Sequence, residues 1–545
     1  MTQSSGGQLP PGAFAAGQSS SERLIAALSE PNRYPHPVQR VDRMETHISW
    51  ILLTGDYAYK IKKPVNLGFL DFRSLESRRF YCCEELRLNR RTAPQLYLDV
   101  IPIAGSESKP VLGGAGPAIE FAVKMRQFPQ QALLDRMAKS GMLTPKQVDS
   151  LARVVAEFHC TIERAATKLR FGSPQLVLAP AIQNFDQMQE LAQATPQREL
   201  LRQLRAWTER EHTALYALFD ARKRGGFIRE CHGDLHLGNI ALLDDVPTPF
   251  DCIEFNEEFR WIDVMNEVAF LTMDLIDHQL RTLAFRFLNR YLEATGDYAG
   301  MRVLRYYLVY RALVRAKVSC IRAHQPHVEG QEKSGALRKY QSRLHLAELL
   351  SAHSPRALII MHGLSGSGKT TIAQSLLESL GAVRLRSDVE RKRLHGLAPQ
   401  ARTDSSLAAG IYTPDETERT YNHLAELARQ VIAADYPVIV DAAFLVRQQR
   451  ELFRRLASEM AVPFVILSCT APQAVLRDRI VRREREAKDA SEAGLAVLEQ
   501  QLATQEALGT DEVAHILNVA PQQVGTPPGK LAEQLALRLG LTGAG

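Results

Sequence analysis

Two short stretches of this chain of 545 residues concentrate the residue types that handle phosphate. One is Gly363-Leu-Ser-Gly366-Ser367-Gly368-Lys369-Thr370-Thr371. Its glycines let consecutive backbone N–H groups curl around an anion. Lys369 adds charge at the β- and γ-phosphates of ATP, and the Thr370 hydroxyl suits Mg2+. The pattern G-x-x-x-x-G-K-[ST] is complete and sits where it must. The compact apolar run Ala357-Leu-Ile-Ile-Met-His362 before it reads as a buried strand. Ile372, Leu376, Leu377 and Leu380 after it read as a helix whose N-terminal dipole favours phosphate.

The other stretch is Cys231-His232-Gly233-Asp234-Leu235-His236-Leu237-Gly238-Asn239-Ile240. An Asp followed at this spacing by an Asn suits phosphoryl transfer. The Asp orients or deprotonates an acceptor hydroxyl, and the Asn holds Mg2+ on the triphosphate. His232 and His236 stand four apart, but Gly233 and Gly238 make this a loop and H-E-x-x-H is absent, so zinc is set aside.

Three further features extend the glycine-rich site. Asp441 ends the apolar strand Val438-Ile-Val440, where a carboxylate reaches Mg2+ directly or through water; helix capping is the plainer alternative. Asp388, in Leu385-Arg-Ser-Asp388-Val-Glu-Arg, closes a strand at its carboxyl end, where ligands of parallel sheets gather. It could take the proton of an acceptor, or simply cap the helix at Val389. Arg479, Arg482 and Arg483, in the charged run Arg477–Ala493, share one helical face and suit a lid over transferring phosphate, against the alternative of a solvated helix.

Positioning these residues takes two kinds of fold. Short apolar runs at 357–362, 382–386, 437–440, 463–468 and 513–518 alternate with helical stretches, the pattern of an α/β domain with a parallel sheet. The earlier chain reads as α+β. Strands Thr46–Leu53 and Tyr57–Lys62 flank a hairpin at Thr54-Gly55-Asp56, a helix runs from Ser74 to Arg91, and a strand pair straddles Gly113-Gly114. After Pro129 nearly everything is helical, including a core helix over Val268–Ile276. Arg302, Arg305, Arg311, Arg315 and Arg322 read as a solvated helix face rather than an RNA track. The expected domains are a flexible tail over 1–22, a domain over 23–352, and a domain over 353–545 beyond the break at Ser351–Pro355.

Composition sets the class. With 45% hydrophobic and 23% charged residues, the chain is neither disordered nor fibrous. The net charge of +6 is too small at this length to indicate nucleic acid by itself. Seven scattered cysteines without a C-x-x-C pair suggest neither disulfides nor zinc and fit a reducing cytoplasm. The N-terminus lacks the features of a secretory signal, and no apolar run reaches the ~20 residues of a membrane helix.

From about residue 356 to 525, the chain resembles the small P-loop kinases. These include gluconate and adenylylsulfate kinases, polynucleotide 5′-hydroxyl kinases and zeta-type toxins. The resemblance rests on the Walker-A loop, the strand ends at Asp388 and Asp441 and the arginine lid, and it implies Asp388 as the substrate-side base.

Over residues 40–340 the chain resembles the aminoglycoside phosphotransferases, whose fold is that of the protein kinases. Asp234 and Asn239 match the catalytic loop. Lys60 falls on the third strand as the phosphate lysine, with Lys62 on the same face as the alternative. Glu85, or Glu84 beside it, would position that lysine, and Val123–Phe128 falls at the adenine hinge. The downstream metal ligand would be Asp251 or Glu254, and the spacing to Asp263 and Glu267, the later acidic pair, fits Glu254 slightly better. No G-x-G-x-x-G loop is present, only Gly55.

Together the resemblances imply a bacterial fusion: an α+β protein-kinase-like fold, then an α/β P-loop NTPase fold. Each domain would use ATP and Mg2+ to phosphorylate a hydroxyl of a small molecule. Two alternatives are an N-terminal domain that binds nucleotide only to regulate its neighbour, and 5′-hydroxyl nucleic-acid phosphorylation by the P-loop domain.

Overall fold

The structure, a computed structural model, describes residues 20–66, 68, 70–191, 195–325, 328–399, 401, 410–486, 494–519 and 529–541. Contacts divide the chain into two compact units, Met1–Gln130 with Phe250–Glu257, and Gln131–Pro249 with Glu258–Gly545.

The first unit is built on an antiparallel sheet of β1 (Asp42–Glu45), β2 (Ser49–Leu53), β3 (Tyr57–Lys62), β4 (Tyr97–Ser106), β5 (Lys109–Leu112) and β6 (Glu120–Arg126), in the order β1-β2-β3-β6-β4-β5. The expected hairpin joins β2 to β3. Thr54 accepts this sharp reversal by donating its N–H to the Tyr57 carbonyl at 2.9 Å, and Gly55 supplies a φ of +97° that few other residues adopt. The segments flanking Gly113-Gly114 are strands but not partners. β5 folds back on β4, with Ser106 opposite Lys109, while β6 inserts between β3 and β4. The helix Leu75–Asn89 begins where Ser74 accepts the Ser77 N–H, and carries Glu85 buried on its inner face. The core gathers Trp50, Leu52, Tyr59 and Ile61 with Leu24, Ile25 and Leu28. Those last three belong to the helix Ser20–Leu28, so the end of the expected tail, residues 20–22, is helical; residues 1–19 lie outside the described residues.

The second unit opens with the short helix Leu134–Lys139, followed by helices Pro145–Thr161, Pro174–Leu191 and Thr195–Arg224. Four short strands then frame the Asp234 loop: β7 (Ile228–Glu230), β8 (Ile240–Leu243), β9 (Val246–Pro249) and β10 (Trp261–Asp263), with β7 pairing β10 and β8 pairing β9. Helices Val264–Asp277, Arg281–Thr295, Met301–Ala323 and Gly330–Ser351 follow. The chain then makes a parallel sheet from β11 (Leu358–His362), β12 (Val383–Arg386), β13 (Val438–Asp441), β14 (Phe464–Cys469) and β15 (Ile516–Val519), ordered β12-β13-β11-β14-β15. Apolar side chains alternate between its faces. Ile359, Met361 and Ile439 pack under the helix Lys369–Leu380, while Leu358, Ile360, Leu385 and Val440 join a core that continues into Leu288, Leu292 and Leu304. The expected boundary at 352/353 is therefore a change of architecture within one continuous core, not a division between compact units. Among the described residues, no helix is long and apolar enough to cross a membrane.

The solvated face expected of the arginines of Met301–Ala323 is found only in part, in the exposed Arg302 and in Arg322, which pairs with Glu332 at the surface. Arg305 and Arg311 are buried, and Arg302 and Arg305 donate to the carbonyls of Ala433 and Asp435. Where this helix is covered by protein, a cation reaches for internal acceptors instead of water.

A second buried cation ties the helical region together. Arg222 donates to both carboxylate oxygens of Asp263 at 2.6 and 2.8 Å and to both of Asp297 at 2.8 and 2.9 Å. Asp263 also caps the helix Val264–Asp277 by accepting the Met265 N–H. Removing the guanidinium leaves two carboxylates facing each other out of water. Arg222→Met is therefore expected to lower unfolding free energy by about 3–5 kcal/mol, read from denaturant midpoints.

Candidate active sites

The glycine-rich loop runs from the end of β11 to the helix Lys369–Leu380. Its glycines are required by space as well as by dihedral angle. At Gly363, with φ +140°, a Cβ would lie 2.2 Å from the Cys469 carbonyl oxygen; at Gly366, with φ +83°, 2.8 Å from that of Leu476. Lys369 folds over the loop and donates from Nζ to the carbonyls of Gly363 and Leu364 at 2.8 and 2.9 Å. Burial lowers its pKa, opposed by the carboxylates of Asp441 and Asp388, and the Arg483 charge lowers it further. The Ser367 hydroxyl is buried without a hydrogen-bond partner, Thr370 is half-buried, and Thr371 is exposed.

Asp441 ends β13 opposite Arg386 of β12. It is buried, and among the described residues its Oδ2 has no hydrogen-bond partner, with Arg386 Nε 4.0 Å away. Burial raises its pKa against the pull of Arg386, Arg384, Lys369 and the Thr370 hydroxyl. A buried carboxylate oxygen left open beside a Walker-A threonine fits a hard cation such as Mg2+. Asp388 is in the first turn of the helix Ser387–Leu394 rather than at the cap, and is half-buried. On the expected lid, Arg479 donates to the Gly366 carbonyl at 3.1 Å, Arg482 is exposed, and residues 487–493 lie outside the described residues.

In the first unit, the alternation of β3 puts Lys60 and Lys62 on one face, and Glu85 bridges both with 2.7 Å contacts. Lys60 also contacts Asp251 Oδ1 at 2.5 Å, and Lys62 donates to Glu254. The two carboxylates differ in setting: the Asp251 side chain is 42% exposed, that of Glu254 only 4%. Asp251 adopts φ +65° and donates its N–H to the Tyr97 hydroxyl. Burial would raise the Glu85 carboxyl, but the two lysines outweigh it and hold the pKa down at about 2. The Glu254 carboxyl, in contrast, is raised by burial. Glu84 pairs at the surface with Arg87. At the expected adenine hinge, Gln127 accepts the Gly55 N–H.

The Asp234 loop belongs to the second unit. Asn239 donates from Nδ2 to Asp234 Oδ2 at 2.9 Å, and His236 Nε2 stands 3.4 Å from the same oxygen. Burial raises the Asp234 carboxyl, but His236, Arg315 and His232 together hold it well below the usual carboxylate range. The loop's backbone is clamped from behind. Glu267 accepts the N–H groups of His232 and Gly233, Asp274 accepts that of Leu237, and Arg311 donates to the Gly233 carbonyl. Of the later acidic pair, Asp263 serves Arg222 and Glu267 serves the loop. Asp274 and Arg311 went unrecognised in the sequence, although Glu267 and Asp274, seven apart, share one helical face.

Residues 114–307 match the Phosphotransferase enzyme family, and residues 358–508 match an AAA domain family. Uncharacterized proteins of Mycobacterium tuberculosis and of Mycobacterium bovis are each 31% identical over 459 residues, covering 84% of this chain and 89% of theirs. Among solved structures, an amicoumacin kinase aligns over 61% of this chain and 93% of its own, at 11% identity and a TM-score of 0.38, too loose to bear on the assignment. The chain belongs to the same family as these mycobacterial proteins, and in it a phosphotransferase-family segment is followed by an AAA-type P-loop segment, a fusion of two kinase modules.

Proposed function

We propose that the chain is a tandem ATP-dependent phosphotransferase, each module passing a phosphoryl group from ATP to a hydroxyl of a small molecule. The observation that carries the reading is the open, buried Oδ2 of Asp441 beside Lys369 and Thr370 at the mouth of the glycine loop. Thr370 and Asp441 would hold Mg2+, which when bound neutralises charge on the triphosphate. Lys369 now spends its ammonium on two loop carbonyls. A bound phosphate would give it a stronger, charge-assisted acceptor. Asp388 would accept the acceptor hydroxyl's proton, and Arg479, Arg482 and Arg483 would steady the transferring group.

For the phosphotransferase-family segment, Asp234 is the base, kept ionised by its cationic neighbours and oriented by Asn239. Lys60, held by Glu85, takes the phosphates. Asp251 rather than Glu254 is the acidic metal ligand, because Asp251 is accessible whereas Glu254 is buried on Lys62. A regulatory reading of this segment draws support from its turn at Thr54–Asp56, which is too tight to drape over phosphates as a glycine-rich loop does. Phosphorylation of nucleic-acid ends stands as a second alternative for the P-loop segment.

Since one core crosses residues 352 and 353, activities are best assigned by point variants in the full chain. With a metabolite library and ADP release as readout, Lys369→Ala should lower one acceptor-stimulated activity roughly 100-fold or more, and Asp234→Asn a different one by about 100- to 10,000-fold. A second activity indifferent to Asp234→Asn would favour the regulatory reading, and labelling of 5′-hydroxyl oligonucleotides lost in Lys369→Ala would favour nucleic-acid ends. The two acidic candidates separate on different axes. Asp251→Asn should raise the Mg2+ requirement of the Asp234-dependent activity with little change in thermal stability. Glu254→Gln should instead destabilise the protein by about 3–5 kcal/mol, because it weakens the pairing of a buried lysine.

A further inference from the structure

Strand β12 carries an arginine that the P-loop segment does not neutralise from its own residues. Arg384 is 1% exposed. Its Nε and Nη2 donate to Glu293 Oε1 at 3.0 and 2.5 Å, and its Nη1 to the Thr370 carbonyl at 3.4 Å. Glu293 lies in the phosphotransferase-family segment, on the helix Arg281–Thr295, which packs against both β12 and the helix Lys369–Leu380. The same helix holds the strand by its backbone: Asn289 accepts the Arg384 N–H at 2.7 Å and donates to the Ala382 carbonyl at 2.9 Å. Beyond the strand, Arg393 returns to the Glu293 carbonyl at 2.5 Å. This grip therefore brackets Asp388, between Arg384 and Arg393.

Electrostatics give the contact a consequence. Arg384 stands two residues before Arg386, which is opposite Asp441 across β12 and β13, so its guanidinium lies on the strand face that carries the carboxylate proposed for Mg2+. With Glu293 ionised, the field of this guanidinium is largely cancelled at its source. Burial would raise the Glu293 carboxyl, but Arg384, Arg386 and Arg290 keep it below its ordinary range. Without the carboxylate, an uncompensated guanidinium would be left close to Asp441 and would oppose a divalent cation there.

We infer that Glu293, a residue of the phosphotransferase-family module, is a positioning residue of the P-loop site: through Arg384 it sets the charge at Asp441 and the placement of the Walker-A threonine. The inference rests on the reading that the glycine loop binds Mg-ATP.

The test titrates a fluorescent ATP analogue into the full chain, first in EDTA and then across a range of MgCl2, following the component of binding that Lys369→Ala abolishes. Glu293→Gln should raise the Mg2+ midpoint of that component roughly tenfold while leaving Mg-free binding nearly unchanged, in keeping with outer residues tuning metal affinity. Glu293→Gln/Arg384→Met, which removes both charges, should bring the midpoint back toward wild type. A purely structural contact would lower both kinds of binding together and would not be rescued. An unchanged midpoint in Glu293→Gln, or a double variant no better than the single, overturns the inference. Should Glu293→Gln not fold, the double variant and Glu293→Asp carry the comparison, and a shifted midpoint in the double variant counts against it. If Lys369→Ala removes no binding component, the reading of the P-loop site fails instead, an outcome distinct from the others.

Discussion

A charge withdrawn from water must find its opposite close at hand, and much of this structure is arranged around that requirement. An unpaired ion in the interior costs several kcal/mol even after relaxation, so each buried cation recruits carboxylates from wherever the chain can supply them. Arg222 draws Asp263 and Asp297 together across the helical region. Lys60 and Lys62 share Glu85. Arg384 reaches out of the parallel sheet to Glu293. Partners in each group lie far apart in sequence, so the pairings specify which elements meet as well as stabilise them.

The same rule separates scaffold from chemistry. The charges proposed to act on a ligand are ones the protein leaves incompletely answered. Asp441 has an oxygen with no partner, Lys369 is held only by carbonyls, and Asp251 is turned partly toward solvent. Glu267, one oxygen of Asp274 and Arg311 instead engage the backbone of the Asp234 loop. They hold the loop, which would let the proposed base Asp234 present its carboxylate with little reorganisation.

The fusion is more intimate than its two motifs suggest. One face of the parallel sheet shares a core with the helical region, and the helix Arg281–Thr295 packs on the strand that leads to Asp388. Continuity of this kind gives each module a stake in the other's stability. It also supplies a physical route by which the state of one could alter the other, since interfaces packed to interior density transmit small displacements.

Local pattern determined a good deal. The glycine loop, its flanking strand and helix, the β2–β3 hairpin, the Ser74 cap and the parallel sheet all follow from short-range rules of periodicity, turn chemistry and spacing. These rules act over a few residues and are written in residue type. Long-range choices were not legible in the same way. That β6 inserts between β3 and β4, that Arg305 and Arg311 turn inward, and that Asp251 and Glu254 serve different lysines depends on which distant surfaces come together. Glu293 shows the limit most plainly. Nothing near it in sequence marks it out, and its partner is an arginine 91 residues away. Residue types and spacing were enough to name the chemistry. Only the packed structure decided which charges are spent on holding the protein together and which remain for a ligand, because burial and partnership are properties of the fold.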